Sequence, residues 1–269
     1  MTEQEKLDKE LEAISDEYQR QNKEQQESAV SEFAFIIAAV ALLLSDNESK
    51  DGTIKRQSLN KIIRALEPIE KQLRTKGEKV LADIIEDTAK TTTKAVTGAL
   101  KDVGGAAATR GIVVDEIVTD VKKAVLNRLG DDGLKLSDRV WNLAGDTRND
   151  IAKALRTGIL QGESVGQLTK RVREVHENET WKIRRLVVTE GNTAFRTAVA
   201  YSAQQSEIVT ALQVHRGKAD RPEHRCSQLE RADSYGLGRG LYPPTASEIY
   251  NPHPNCTGFL TYVLDERWL

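Results

Sequence analysis

The sequence predicts a mainly α-helical protein that ends in a small α+β domain, in which long helices are followed by a small antiparallel sheet with a long pinned loop. Two observations predict this fold class. Apolar residues recur at helical spacing over most of residues 1–206. Beyond them, two short β-branched runs are separated by about forty residues of a loop rich in glycine, proline and polar residues.

The composition limits the class of protein. The chain has 269 residues, of which 39% are hydrophobic and 30% charged, so it can bury a core in one large domain or two modest ones. A net charge of -2 excludes a uniformly basic nucleic-acid binder. Two cysteines are too few for a disulfide framework. The acidic N-terminus lacks the apolar run of a signal peptide, which predicts synthesis in a reducing cytoplasm.

The N-terminal residues predict an amphipathic helix. Residues 3–28 carry nine acidic and four basic side chains, and an apolar stripe recurs there at spacings of four, three and four. Such a stripe is one face of a helix and can form a short coiled-coil seam through which copies of the chain self-associate. A solvated helix packed loosely on its neighbours fits the same pattern. The stripe consists of Leu7, Leu11, Ile14 and Tyr18.

An uninterrupted apolar run covers residues 33–44. It is twelve residues long and is bounded by Glu32 and Ser45, whereas a membrane-spanning helix needs about twenty apolar residues. Its length therefore favours a buried core helix or an inter-subunit helix. An interfacial membrane contact or a hydrophobic plug is the minority alternative, and a membrane is not an expected partner.

Glycine and proline punctuate the helical pattern up to residue 130. Pro68 is expected to kink or split a helix, Gly77 to separate two helices, and the adjacent glycines within residues 103–111 to form a hinge or loop. The turn LGDDG at residues 129–133 predicts a domain boundary. The helical periods cover residues 59–73, 80–85 and 112–129, and the two predicted domains are residues 1–130, which are helical, and residues 131–269.

The C-terminal domain is predicted to begin with helices and to end with strands. An amphipathic helix over residues 140–155 is followed by a short helix capped by Ser164 and by a long helix over residues 180–206. Four charged residues of the long helix are interpreted as a solvated face whose ion pairs contribute little. Residues 207–217 and 258–266 predict two antiparallel strands. The four charged residues are Arg184, Arg185, Glu190 and Arg196.

The loop between the two strands needs a cross-link. Ordering each of its residues costs on the order of 1–2 kcal/mol, and the loop holds few large apolar side chains. Two histidine–cysteine pairs stand near its ends, and pairing of the strands can bring them together. Two thiolates and two neutral imidazoles suit tetrahedral zinc, whose binding contributes roughly 10–16 kcal/mol in small peptides. We therefore predict a structural zinc site formed by His224, Cys226, His253 and Cys256.

Two other interpretations of the cysteines stay open. Cys226 and Cys256 can be buried, inert thiols, with the histidines hydrogen-bonded in the loop. They can also form a disulfide, which a reducing cytoplasm disfavours but a mature extracellular particle permits. The H-x-C spacing is tighter than the two-residue spacing of common zinc fingers. Pro252 and Pro254 stiffen the second turn in every case.

The C-terminal half resembles the Mu F-like head morphogenesis proteins of tailed phages. The stretches GKADRPEHRC and NPHPNCTGFL are similar to the closing motif of that family, in which a Pro-His-Pro-Asn-Cys turn leads to a last strand. Residues 185–201, with Thr189 and Glu190, are similar to the helix that precedes this motif. The resemblance covers residues 135–269, and the matching positions of the motif are Asp220, His224, Cys226, Pro252, His253, Pro254, Asn255 and Cys256.

Two features of the chain depart from the family. Many members continue the turn as Cys-Arg-Cys, whereas Thr257 and Gly258 follow Cys256 here. Many members also carry Trp where Val214 or His215 stands. The first departure removes a thiol that could bind a metal, but the Pro-His-Pro-Asn-Cys core is retained.

The resemblance implies a minor capsid protein that is made in the host cytoplasm and enters the procapsid in small copy number. Such a protein is expected in the virion at the portal vertex, where it acts in assembly and in DNA packaging or release. Its implied partners are the portal protein and the capsid or scaffold proteins. Residues 139–231 hold sixteen basic and eleven acidic side chains, which allows a non-specific contact with packaged DNA. Members of the family are not established enzymes, and no enzymatic activity is expected of this chain.

The alternative function is that of a zinc-dependent hydrolase or an ADP-ribosyltransferase-like enzyme. A catalytic zinc needs an open coordination position and a general base, a role that Asp220 or Glu223 could take. Four protein ligands would close the site, which favours a structural ion. The sequence also lacks the HExxH, GxSxG and phosphate-cradling glycine motifs.

Overall fold

A computed structural model describes residues 2–130, 132–218 and 220–268 of the chain. Long helices precede a three-stranded antiparallel sheet at the C-terminal end, which confirms the predicted fold class. The helices are α1 (Glu3–Phe33), α2 (Phe35–Ser45), α3 (Leu59–Thr109), α4 (Val114–Asn127), α5 (Leu136–Gln161), α6 (Val165–Gln204) and α7 (Arg225–Arg231). The strands are β1 (Val209–His215), β2 (Leu241–Tyr242) and β3 (Phe259–Leu264), and short 3₁₀ turns cover Arg56–Ser58, Ser247–Ile249 and Glu266–Trp268.

The chain forms two compact units, each assembled from separate segments. One join between segments falls after Asp132, within the turn where the sequence predicted a boundary. Because the two units are built from alternating segments of the chain, they do not test a single boundary at residue 130. That division stays a prediction. The sheet unit consists of residues 1–25, 82–132 and 185–269, and the helical unit consists of residues 26–81 and 133–184.

Helix α1 buries the apolar stripe that its sequence period indicates. Leu7, Leu11 and Tyr18 are at most 4% exposed and belong to the core of the sheet unit, together with residues of α6 and of all three strands. The ring of Tyr18 stacks on that of Phe195, with centroids 4.4 Å apart. Because the stripe is an internal packing surface, self-association through α1 would have to use another face.

Helix α2 carries the apolar run and has one buried face. Ile36, Val40 and Leu44 are at most 2% exposed, whereas Leu42 on the opposite side is 64% exposed. The stretch Glu3–Ser45 contains a window that is apolar enough to cross a membrane by length and composition, and 28% of that window is buried. The core helix of a soluble protein passes the same test, so the finding is weak support for a membrane contact.

Helix α3 breaks at only one of its predicted interruptions. It continues through Pro68, because the buried side chains of Leu66 and Leu73 anchor it on both sides of the proline. It departs from helical geometry at Gly105, where φ is 60° and ψ is -150°. The hinge expected within residues 103–111 is therefore present, and a split at Pro68 is not.

Gly77 marks a close approach of helices instead of a helix end. A Cβ atom at this position would lie 2.8 Å from Cζ of Phe33 and 2.9 Å from Cγ1 of Val140. Both distances are shorter than van der Waals contact, so a larger side chain would force these elements of the helical unit apart. The glycine is thus explained by packing, and its prediction as a helix break was wrong.

Helix α6 is continuous from Val165 to Gln204, although the sequence predicted a short helix and a long helix in its place. Residues 189–200 are buried on every face, as expected of a helix in the middle of a core. Glu190 is 1% exposed and Arg196 is fully buried. The interpretation of these two residues as part of a solvated face was therefore wrong, because the sheet unit surrounds this part of α6.

Strand β1 lies between β2 and β3 and pairs antiparallel with both. β1 and β3 are the two predicted strands. β2 was not predicted, because two residues are too few for an alternating pattern to be recognised. The loop between β1 and β3 also contains α7 and the buried side chains of Tyr242 and Ile249. It is therefore ordered partly by its own packing.

The outer edge of β3 is covered by the first turn of α1. The side-chain amide of Gln4 donates to the carbonyl oxygen of Tyr262 over 2.7 Å and accepts from the amide of Leu264 over 3.0 Å. These two bonds replace those that a further strand would make, so part of this sheet edge is closed to pairing.

Candidate metal centre

Four side chains with metal-binding atoms converge where the long loop returns to the sheet. Asp220 follows β1, Cys226 lies in the first turn of α7, and His253 and Cys256 lie in the turn before β3. One ligand atom of each residue lies within 4.8 Å of the others. We call these four residues the cluster. It contains three of the four predicted zinc ligands, and Asp220 stands where His224 was expected.

The distances within the cluster are short. The two sulfur atoms of Cys226 and Cys256 are 3.2 Å apart. Oδ1 of Asp220 is 3.0 Å from Nε2 of His253, and its Oδ2 is 3.8 Å from Sγ of Cys256. Both cysteines are at most 1% exposed, and the side chains of Asp220 and His253 are 4% and 15% exposed. The cluster is thus a nearly closed polar centre.

The imidazole of His253 directs a lone pair into the cluster. Its Nδ1 lies 3.1 Å from the carbonyl oxygen of Pro254, which can only accept, so in the neutral imidazole Nδ1 carries the proton and Nε2 the lone pair. Nε2 is buried and makes no hydrogen bond among the described residues, although a carboxylate oxygen of Asp220 lies 3.0 Å away. Two acceptor atoms that face each other repel unless a cation or a proton lies between them.

His224 lies beside the cluster and outside it. Its ring centroid is 4.6 Å from that of His253, and its side chain is 34% exposed. Its Nδ1 accepts a hydrogen bond from the backbone amide of Arg221 over 3.2 Å, which occupies the nitrogen nearest to Asp220. His224 therefore covers His253 at the surface, whereas the ligand set is completed by the carboxylate.

The turn that carries His253 and Cys256 is held from α6. Asn192, which is 1% exposed, donates its side-chain amide to the carbonyl oxygens of Cys256 and Gly258, over 2.9 Å and 3.3 Å. Asn255 adopts a φ of 59°, a left-handed conformation that asparagine tolerates better than most residues. The amide of Gly258 donates to Sγ of Cys256 over 3.2 Å. The backbone thus fixes the sulfur before any ion binds.

Gly258 is expected to tolerate no side chain. A Cβ atom there would lie 2.6 Å from the carbonyl oxygen of His215 and 3.3 Å from Sγ of Cys256. We expect Gly258→Ala to lower the free energy of unfolding by about 1–3 kcal/mol, because the strand and the turn must separate. Chemical denaturation of the two proteins measures this difference.

Gly98→Ala is the matched control for that substitution. Gly98 lies inside α3, and no neighbouring group lies within 4 Å of the position that a Cβ atom would take there. Alanine should therefore stabilise the helix by about 0.5–1 kcal/mol. Equal effects of the two substitutions would contradict the close approach at Gly258.

The two thiols share one hydrogen bond and are both free of disulfides. This bond lowers the pKa of Cys256, against the effect of burial, and the same bond together with burial raises the pKa of Cys226. The guanidinium of Arg196 acts on both groups in the direction of the thiolate. A divalent ion bound by both sulfurs would displace the thiol protons.

A second concave surface of the sheet unit lies over the outer face of the sheet. It encloses about 480 Å³ and is lined by acidic side chains of α1 and by His215 and Phe259. The rings of these last two residues stack with centroids 4.6 Å apart, and Nε2 of His215 lies 2.9 Å from Oγ1 of Thr261. Burial lowers the pKa of His215, with nearby acidic groups opposing the effect.

The lowered pKa of His215 predicts a loss of stability in acid. The unfolded chain takes up a proton near pH 6.5, whereas the folded chain resists it, so the free energy of unfolding falls as the pH drops below about 6.5. His215→Phe should reduce this slope. Denaturation at pH 7 and pH 5, with a chelator in both buffers, measures it. An unchanged slope in His215→Phe would contradict the role given to His215. Some slope should remain in this variant, because burial also lowers the pKa of His176.

Comparisons with known proteins give no match: no protein-family model, no curated protein and no solved structure corresponds to the chain.

Proposed function

We propose that the cluster binds a structural zinc ion. Two sulfurs, one imidazole nitrogen and one carboxylate oxygen are a donor set that zinc accepts in tetrahedral geometry. The observation that carries the proposal is the buried Nε2 of His253, which makes no hydrogen bond among the described residues and faces an oxygen of Asp220 at 3.0 Å. A cation between them turns this repulsion into attraction and uses both lone pairs.

The spacing of the donors fits such an ion. With Zn–S of about 2.3 Å and Zn–N or Zn–O of about 2.0–2.1 Å, tetrahedral ligands lie about 3.3–3.8 Å from one another. The donor atoms lie 3.2 Å apart for the two sulfurs, 3.0 Å for Asp220 and His253 and 3.8 Å for Asp220 and Cys256. Ideal tetrahedral zinc would place these pairs about 3.8, 3.3 and 3.5 Å apart. All four ligand atoms lie within 4.8 Å of one another, so side-chain movements on the order of 1 Å would bring them into coordination distance.

A structural ion fits the surroundings better than a catalytic one. The four donors are protein side chains, which leaves no coordination position for water or substrate. The ion would link the start of α7 to the turn before β3, and so would close the long loop onto the sheet. This is the cross-link that the sparse composition of the loop predicts.

We further propose that the chain is a minor capsid protein that acts in head morphogenesis of a tailed phage, at or near the portal vertex. The support is the resemblance of the C-terminal motif, together with the convergence of its Asp220, Cys226, His253 and Cys256 in one buried centre. The sheet unit then serves as a compact docking body for portal, capsid or scaffold proteins. Packaged DNA is a further, non-specific contact.

The assembly role is tested by co-expression. The chain, carrying an affinity tag, is produced together with the portal and scaffold proteins encoded in the same genome. We expect the portal protein to copurify with it and the chain to be found in procapsids. Cys226→Ser should reduce this association, since the docking body loses its cross-link. Absence of the chain from both procapsids and virions would contradict the proposal.

A further inference from the structure

Among the residues that the structure describes in the buried part of helix α6, one is a cation, Arg196, and it lies next to the cluster. Arg196 is the largest fully buried side chain of the described chain. Its Nη1 donates a hydrogen bond to Sγ of Cys226 over 3.1 Å. Its Nε and Nη2 are buried and make no hydrogen bond there. The sulfur is therefore its one hydrogen-bonding partner in the described structure.

A guanidinium in this position requires a compensating negative charge. Arginine stays protonated in proteins, and an isolated buried ion is strongly unfavourable. Asp220 supplies one negative charge, and it belongs to the cluster. With a divalent ion bound, two thiolates and the carboxylate balance the ion and Arg196, so that the centre carries no net charge. Without Arg196, the same loaded centre would hold an excess negative charge in a buried site.

We infer that Arg196 is a positioning residue of the metal centre: it donates to the Cys226 thiolate and supplies the counter-charge that makes a centre with two thiolates and one carboxylate selective for a divalent ion. The inference rests on the proposed zinc site. A hydrogen bond to a metal-bound thiolate fixes the direction of the sulfur and withdraws charge from it. A monovalent ion such as Cu(I) would leave the buried centre with a net negative charge. Its affinity should therefore be lower than two sulfur ligands alone would predict.

The test compares metal affinities of three purified full-length proteins. Arg196→Met removes the charge and keeps an unbranched side chain, whereas Arg196→Lys keeps the charge. Competition with a chromophoric chelator gives Kd for Zn²⁺ and Co²⁺. We expect Arg196→Met to bind about 10–100-fold more weakly, the effect typical of residues that orient metal ligands, and Arg196→Lys to recover most of the loss. Arg184→Met, a partly exposed position of the same helix, should leave Kd unchanged.

A spectroscopic measurement separates this role from general packing. In the Co²⁺ form, the sulfur-to-cobalt charge-transfer band should move to lower energy in Arg196→Met, because the thiolate loses a hydrogen bond. If that variant does not fold, wild-type protein loaded with ¹¹³Cd²⁺ provides the readout. A scalar coupling between ¹¹³Cd and a guanidinium proton of Arg196 is expected, and its absence would overturn the inference.

The outcomes distinguish the two proposals. Wild-type protein that binds Zn²⁺ while Arg196→Met binds it equally well, with an unshifted Co²⁺ band, overturns the role of Arg196 and leaves the zinc site intact. Wild-type protein that binds neither Zn²⁺ nor Co²⁺ overturns both. Weaker binding in Arg196→Met with recovery in Arg196→Lys supports both.

Discussion

Removal of zinc is expected to lower the free energy of unfolding by about 4 kcal/mol, when the free zinc before removal is about a thousand times Kd. On the zinc proposal, the folded cluster binds the ion and the unfolded chain does not, so the binding energy adds to the stability of the fold. Without the ion, the loop would keep the packing of Tyr242 and Ile249 but would lose the link between Cys226 near its start and Cys256 near its end. Thermal unfolding with and without a chelator, together with the metal content of the purified protein, measures the effect.

Substitutions at the cluster separate the two candidate ligand sets. Cys256→Ser and Asp220→Asn should abolish the response to the chelator. His224→Ala is the matched control, since His224 lies beside His253 and its Nδ1 is hydrogen-bonded to backbone, so this variant should keep both the metal and the response. Wild-type protein without bound zinc and with an unchanged melting temperature in chelator would refute the site. Loss of zinc in His224→Ala alone would restore the ligand set first predicted.

Glu190→Ala is expected to lower the free energy of unfolding by about 3–5 kcal/mol. The carboxylate of Glu190 is 1% exposed and pairs with Nη2 of Arg128 at 3.0 Å, and the side chain of Arg128 is 13% exposed. Alanine removes the carboxylate and leaves the guanidinium of Arg128 in a site that water scarcely reaches. Denaturant titration of wild type and variant gives the difference.

Two comparisons make this prediction specific. Glu86→Ala breaks the ion pair between Glu86 and Lys122, whose side chains are 50% and 37% exposed, and should cost less than about 1 kcal/mol. The double variant Arg128→Met/Glu190→Leu replaces both charges by apolar groups and should recover most of the loss. Similar small effects of Glu190→Ala and Glu86→Ala would show that the buried pair contributes no more than a surface pair.

Much of the fold follows from local patterns. The helical periods and the β-branched runs predict most of the helical residues and two of the three strands, because each is a property of neighbouring residues; α7 and the continuity of α3 and α6 were not predicted. The failures concern residues whose role depends on distant parts of the chain. Gly77 has the local pattern of a helix break, yet it packs against Phe33 and Val140. Pro68 lies in a continuous helix, since tertiary packing outweighs its local preference.

The candidate site was predictable in outline and not in its full ligand set. Cysteine and histidine are rare in this chain, so the paired cysteines and His253 are indicated by the sequence as candidate ligands. Asp220 is not, because carboxylates are common in the chain. Glu190 and Arg196 were placed at the surface because charged residues usually are. One signal pointed the other way: Arg196 is the only charged residue from Gly191 to Ser206, amid small and apolar residues. A long helix without a charged face is typical of a buried one.

The bonds between Gln4 and β3 have a consequence for the timing of folding in the cell. Gln4 and Leu264 are separated by 260 positions, so at a translation rate of about 5–20 residues per second the first helix waits about 13–50 s for the strand that it covers. During that interval the apolar stripe of α1 has no native partner from β3. Contacts so remote in sequence form slowly. We therefore expect newly made chains to stay accessible to chaperones at least until β3 has been synthesised.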